Sequence, residues 1–282
     1  MPPMRQSCWL RKFYRWFDLK RRPVFKIKSW VTGLLFILFL PLAVCAQNQE
    51  WQVYKSTHFF IFYKNAPEAE VNALMLKAED YYNSIANEFG FNRFNFWTWD
   101  NRAKIYLYDN QDDYRQATQS TEWSGGQVRI GAKLIQGFSG APGFLNSMLP
   151  HELAHIIFIE MVGFNNPAVP LWLQEGVATY QQEDISAVKA DLAGKIRGND
   201  YLDLRALNSF QLSNASTENV RLFYAESYSM VKYLIAEFGK DAFVNFCRLL
   251  RDNRNLMTAL SRAYSFKNLN EFEESWKNYI LK

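Results

Sequence analysis

Two of the three histidines in this 282-residue chain stand four apart, in His151-Glu152-Leu153-Ala154-His155. No other feature constrains the fold as much. On an α-helix, residues i and i+4 share a face, so the two imidazoles project side by side and can bind one zinc ion, with Glu152 lying over the metal's open position. With so few histidines, the pattern is expected by chance about once in a thousand such chains. The segment therefore reads as a helix in need of a third ligand, because two imidazoles alone hold zinc poorly. His58, in an aromatic strand-like stretch, reads as a packed or surface residue rather than a ligand.

The candidate third ligand is Glu175, separated from His155 by nineteen residues, in Pro170-Leu171-Trp172-Leu173-Gln174-Glu175-Gly176-Val177-Ala178-Thr179-Tyr180. Proline suits a first helical turn, and the apolar flanks mark this helix as packed. A carboxylate among them is costly unless a cation or metal pairs with it. Thr179, one turn further on, would share the face of Glu175 and could support the site from behind.

Charge separates the ends of the chain. Nine of the 32 basic residues and one of the 28 acids lie within residues 1–46, which leaves 23 basic and 27 acidic groups, a net of −4, on residues 47–282. Basic charge held in an arm is not the patch a nucleic-acid binder needs, so nucleic-acid binding is not supported. The arm precedes a charge-free stretch, residues 30–46, whose apolar core from Val31 to Ala46 is shorter than the roughly 20 residues of a membrane span. Its small residues Val44 and Ala46 are spaced for cleavage before Gln47-Asn48-Gln49-Glu50. A cleaved signal is favoured; an uncleaved signal-anchor and a lipid-modified Cys45 are the other readings. Each exports the body of the protein to the periplasm or beyond, with membrane attachment through residues 30–46 where that stretch is kept. Cys247, the one cysteine of the exported part, reads as a buried small hydrophobe.

Residues 47–282 form one α+β unit with no internal repeat. Trp51–Lys64 reads as a strand, and Asn65 as the cap of a long amphipathic helix through Val71, Leu74, Ala78, Tyr81 or Tyr82, Ile85 and Phe89, stopped by Gly90. An aromatic tract follows (Phe91, Phe94, Phe96, Trp97, Trp99), read as packing in preference to an exposed contact surface. Next come a strand at Lys104–Tyr108, a short helix around Gln111–Thr118, and an edge strand at Gln127–Gly131 with Val128 and Ile130 inward. From about Ser147 the chain reads as helical, with breaks at Gly163–Pro170, Gly198–Leu202 and Gly239.

His151-Glu152-Leu153-Ala154-His155 followed by Trp172-Leu173-Gln174-Glu175-Gly176-Val177-Ala178-Thr179-Tyr180 resembles the gluzincin metallopeptidases, with a motif similar to aminopeptidase N-like enzymes and most like peptidase MA-like domains. The resemblance runs from about Gly125 to the C-terminus. It implies a zincin-like fold, a small mixed sheet whose edge strand lies beside the HExxH helix, and a mainly helical C-terminal half. It implies one zinc per chain on His151, His155 and Glu175, Glu152 as catalytic base, and a peptide or protein substrate. Tyr224-Ala225-Glu226-Ser227-Tyr228 resembles the segment whose leading tyrosine donates to the oxyanion, which points to Tyr224. Tyr228 competes one turn away, and Ser227 replaces a usual glycine. The Gly-x-Met-Glu-Asn motif that anchors a free amino terminus in aminopeptidases is missing; the stretch here reads Gly-Gly-Gln-Val-Arg-Ile-Gly. Endoproteolysis or specific processing therefore fits better than aminopeptidase action. The rival reading is a catalytically silent zinc-containing binding module at the cell envelope.

Overall fold

A computed structural model describes residues 50–90, 97–120, 126–182 and 191–282. The readings placed on residues 1–46 and on Phe91, Phe94 and Phe96 fall outside the described residues. Among the described residues, no helix is long and apolar enough to cross a membrane.

The stretch read as one strand is two. Ser56 N–H donates to the Phe59 carbonyl (3.0 Å) and closes a turn, so β1 (Gln52–Lys55) folds antiparallel onto β2 (Phe59–Tyr63). The polar Ser56-Thr57-His58 at the middle of the aromatic run is what a turn needs and a central strand does not. His58 thereby leaves the strand. Its Nδ1 lies 2.6 Å from Glu79 and its ring stacks on Tyr82, which agrees with a packed role.

Helix α1 (Glu68–Glu88) crosses over to β3 (Ala103–Tyr108), which pairs parallel with β2. The apolar face predicted for α1 is buried, Val71, Leu74, Ala78, Tyr81, Tyr82 and Ile85 included, and Gly90 takes a positive φ just past its end. Asn65 does not cap it. Pro67 precedes the first turn, and the Asn65 backbone N–H and side-chain amide both donate to Asp109 beyond β3, a tie between neighbouring strand ends. The aromatic tract divides: Trp97 is buried and donates to Glu160 (2.7 Å), whereas Trp99 is 82% exposed.

After α2 (Gln111–Thr118), β4 (Gly126–Arg129) and β5 (Leu134–Phe138) form an antiparallel pair, with β5 parallel to β3. The five-stranded order is β1-β2-β3-β5-β4, so β4 is an edge as predicted. It ends at Arg129, because residues 130–132 coil into a tight turn, and Ile130 is not an inward strand residue. Register partners Gly126 and Gly137 leave a bare spot on the inner sheet face. A Cβ on Gly137 would lie 2.3 Å from the Phe144 ring, and one on Gly126 would lie 2.4 Å from the Met148 terminal methyl. The wide turn Phe144–Met148 thus seats flat on the edge pair and aims the next helix along it.

The helical half comprises α3 (Leu149–Val162), α4 (Leu171–Tyr180), α5 (Leu192–Arg197), α6 (Leu204–Asn208), α7 (Thr217–Phe238), α8 (Lys240–Asn253), α9 (Leu256–Tyr264) and α10 (Leu269–Leu281). The breaks at 163–170, 198–202 and Gly239 are present. Further breaks fall at 209–216, 254–255 and 265–268, where the polar side chains of Ser216, Asn255 and Asn268 cap the helices that follow. Sheet and helices share one apolar cluster. Cys247 is buried in it as a free thiol, pushed up far beyond its usual range by burial.

Glu226 on α7 is fully buried, accepts the Leu202 N–H (3.0 Å) with one oxygen and leaves the other without a hydrogen-bond partner. Burial pushes its carboxyl up to about 8; the Leu202 N–H opposes this, and Glu273, Asp200 and Asp203 add to it. The folded state therefore holds this proton more tightly than the unfolded chain, so stability should fall as pH rises from the ordinary carboxyl range to about 8. Glu226→Gln keeps an acceptor and removes the charge. At about pH 9 it should be more stable than wild type by a few kcal/mol, and at about pH 4 nearly equal to it. Thermal unfolding at both pH values checks this; parallel wild-type and variant profiles would refute it.

Candidate metal centre

Pro150 occupies the first turn of α3, where its missing N–H costs nothing, and starts the helix in time to place His151 and His155 on one face. Their Nε2 atoms approach to 3.1 Å with the rings edge to face. Pro170 likewise precedes α4, whose Trp172, Leu173, Val177 and Ala178 are buried around Glu175. Helix α4 then meets α7 backbone to backbone. A Cβ on Gly176 would stand 2.3 Å from the Ser227 carbonyl oxygen, so glycine at 176 permits the approach. In consequence Glu175 Oε2 lies 3.6 Å from each histidine Nε2.

These three donors form a triangle with edges of 3.1, 3.6 and 3.6 Å. Tetrahedral zinc with bonds of about 2.0–2.1 Å requires donor separations of about 3.3–3.4 Å. The residues fit the ion. Among the described residues, His151, His155 and Glu175 form the group of His, Cys, Asp or Glu side chains that could hold a metal. The chemistry agrees as well: Glu152 and Glu175 are buried carboxylates beside two imidazoles, an arrangement that favours a cation.

The protonation tendencies express that demand. Burial raises the Glu175 carboxyl, but the two histidines outweigh it and hold the group far below the carboxylate range. For His155, burial favours the neutral ring, yet Glu175 and Glu152 more than reverse this and raise it. Burial pushes Glu152 up; His151 and His155 oppose the shift and Glu175 adds to it. A metal ion would compete with the proton His155 otherwise attracts.

Tyr224 of α7 comes to the same place. Its phenol is held well above its usual range by burial first, then by the charge of Glu175 and a hydrogen bond to it, and by Glu152. Tyr228 turns elsewhere, to Tyr180 (6.2 Å) and Lys232 (5.7 Å), and borders a recess of about 320 Å³ with Asp191, Tyr279 and Ile280. Thr179 is buried one turn beyond Glu175, but its hydroxyl makes no hydrogen bond and supports no ligand.

The supporting contact comes from a residue the sequence reading passed over. The Gln182 side-chain amide lies 3.1 Å from His151 Nδ1. Once Nε2 binds a metal, Nδ1 carries the hydrogen, so the amide must present its oxygen there, an orientation related to the other by a simple flip. The signal was spacing, because Glu175, Thr179 and Gln182 fall at i, i+4 and i+7. His155 Nδ1 is buried with no hydrogen-bond partner.

A sequence profile of the Peptidase MA superfamily matches residues 98–282. No curated protein sequence matches the chain. Among solved structures, yeast LTA4 hydrolase in complex with bestatin aligns with a TM-score of 0.43 at 14% identity, over 83% of this chain and 39% of that one. An M1 zinc metallopeptidase mutant from Deinococcus radiodurans aligns with a TM-score of 0.44 at 16% identity, over 82% of this chain and 52% of that one. The chain thus spans about two-fifths to one-half of these larger proteins.

If Gln182 orients His151, Gln182→Leu should weaken zinc binding about 10–100-fold while leaving the fold intact. Gln182→Glu, which keeps an acceptor, should not. Competition against a chromophoric chelator measures both; equal affinity in the leucine variant would show that the contact orients nothing.

Proposed function

This chain belongs to the peptidase MA superfamily, and from that membership we propose that it is an exported zinc metallopeptidase that cuts within peptide or protein chains. The observation that carries the reading is the convergence of the His151, His155 and Glu175 donors, buried, at zinc-like separations and with Glu152 beside them. The ion supplies a Lewis acid that makes a water acidic near neutral pH and polarises the scissile carbonyl.

The remaining work falls to the chain's own side chains. Glu152 takes the water's proton on a carboxylate oxygen and returns it to the leaving amine nitrogen. Burial raises its carboxyl above the usual range, a shift that favours acceptance of that proton. Tyr224 keeps its phenolic proton because burial and the two carboxylates oppose ionisation. Its O–H is therefore available to donate toward the oxyanion of the tetrahedral intermediate. Strand β4, at the edge of the sheet, is the element that would receive an extended substrate.

Internal cleavage is supported by the stretch Gly-Gly-Gln-Val-Arg-Ile-Gly, which carries no glutamate to bind a free amine. Export is supported by the basic arm and the apolar run that follows it, and attachment to the membrane through residues 30–46 accompanies a retained signal. A silent zinc module would have no use for Glu152, because zinc binding alone requires no carboxylate at that position.

Glu152→Gln should bind zinc and fold as wild type does while turnover falls by several orders of magnitude. In the same peptide-library assay, wild type should cut acetylated peptides at least as well as free ones. Equal turnover in the glutamine variant would remove the enzyme reading, and a strict need for a free α-amine would remove endoproteolysis.

Tyr224→Phe should lower kcat about 100–1,000-fold with KM and zinc content little changed, because the hydrogen bond is completed only to the oxyanion. Tyr228→Phe should retain activity. The reverse pattern would move the role one turn along α7.

A further inference from the structure

Among the described residues, the outward strand positions of the sheet combine rings and cations without acids. Strand alternation puts Trp51, Phe60, Phe62, Tyr106 and Tyr108 on the side away from the buried Phe59, Ile61, Ile105 and Leu107. Phe62 stacks on Tyr106 at 4.4 Å, and Trp51 stands edge-on to both Tyr106 and Tyr108 at 5.0 and 5.3 Å. Five cations frame the rings. Lys55 and Arg102 lie over Phe60, Lys64 lies over Trp51, Lys104 is exposed on β3, and Arg129 on β4 acts on the Tyr108 phenol. Among the described residues, none of the five pairs with a carboxylate. Of the acids near in sequence, Glu50 precedes Trp51, Asp100 lies in the turn before β3, and Asp109, Asp112 and Asp113 sit beyond the C-terminal end of β3. Helix α2 covers only that end, through Tyr114 on Tyr108 and Phe138.

This charge is unlike that of residues 47–282 as a whole, whose net is −4. It is spread over four strands and does not converge on a point, as contacts to a discrete ligand would. Interleaved Trp, Tyr, Lys and Arg on an open face is the composition of a protein surface lying in lipid headgroups. Only Gln47–Glu50 separate Trp51 from the apolar run ending at Ala46, a reach of about 18 Å when extended. We propose that this face docks on a membrane surface rich in anionic lipid, with the cations on headgroup phosphates and the rings at the interface. The proposal is independent of peptidase activity.

The test uses the full chain reconstituted into vesicles of phosphatidylcholine alone, or with phosphatidylglycerol as about a third of the lipid, and reads amine acetylation of single lysines by mass spectrometry. Lys55, Lys64 and Lys104 should react at least about fivefold more slowly on the anionic vesicles and recover in about 0.5 M salt, where charge is screened within a few Å. The exposed Lys240 and Lys267 serve as internal controls and should not change. The triple variant Lys55→Glu, Lys104→Glu, Arg129→Glu should lose the difference at Lys64. Equal labelling on both vesicles would overturn the proposal. So would protection by a soluble anionic glycan but not by vesicles, which would assign the face to a polysaccharide.

Discussion

The arrangement depends on keeping two carboxylates and two imidazoles out of water at one point. Such a cluster is unfavourable unless a proton or a metal balances the charge, and the separations of His151, His155 and Glu175 suit a tetrahedral ion. The opposed shifts at Glu175 and His155 are the metal-free expression of the same imbalance. Glu152 and Tyr224 acquire their properties from this environment: burial raises both, which favours acceptance of a proton by the first and retention of one by the second.

Holding that point requires two helices to cross closely, and the glycines show how. Gly176 lets α4 rest on the α7 backbone at Ser227, which brings Glu175 and Tyr224 together. Serine at 227 is tolerated because it is the carbonyl of that residue, not its side chain, that approaches Gly176. On the other side, the Gly126–Gly137 pair accepts Phe144 and Met148, so α3 begins against the edge strands. An alanine at 176 would have to move a helix backbone, a cost of about 1–3 kcal/mol by analogy with overpacked cores.

The two sheet faces serve different ends. The inner face is a conventional apolar layer under α1 and α3; the outer one keeps its rings half-buried, and among the described residues its cations pair with no carboxylate. Side chains there are linked laterally, as in the row Gln127 to Gln136 to Tyr108, with both contacts at 2.9 Å. Such contacts tie β4 to β5 and β3 through side chains on the outer face.

Much of the site was legible along the chain because its geometry is local. The i, i+4 spacing of His151 and His155 is a property of any helix, and the apolar flanks of Glu175 already implied a carboxylate in need of a cation. The periodicity of α1, the strand at β3 and the edge position of β4 were likewise readable from alternation and flanking glycines. What failed were competitions between partners remote in sequence. Asn65 has the chemistry of a cap, but Asp109 claims it from 44 residues away; Trp51–Lys64 alternates as one strand, but a ladder gained by folding back outweighs length. Thr179 shares the face of Glu175 yet touches no ligand, while Gln182, one turn on, reaches His151 across the gap between α4 and α3. The sequence by itself determined which residues could bind a metal, since that follows from residue type and helical spacing. Only the tertiary structure decided which phenol and which amide join them, because that choice rests on how close two backbones come, and on a glycine whose role shows only when another helix is laid against it.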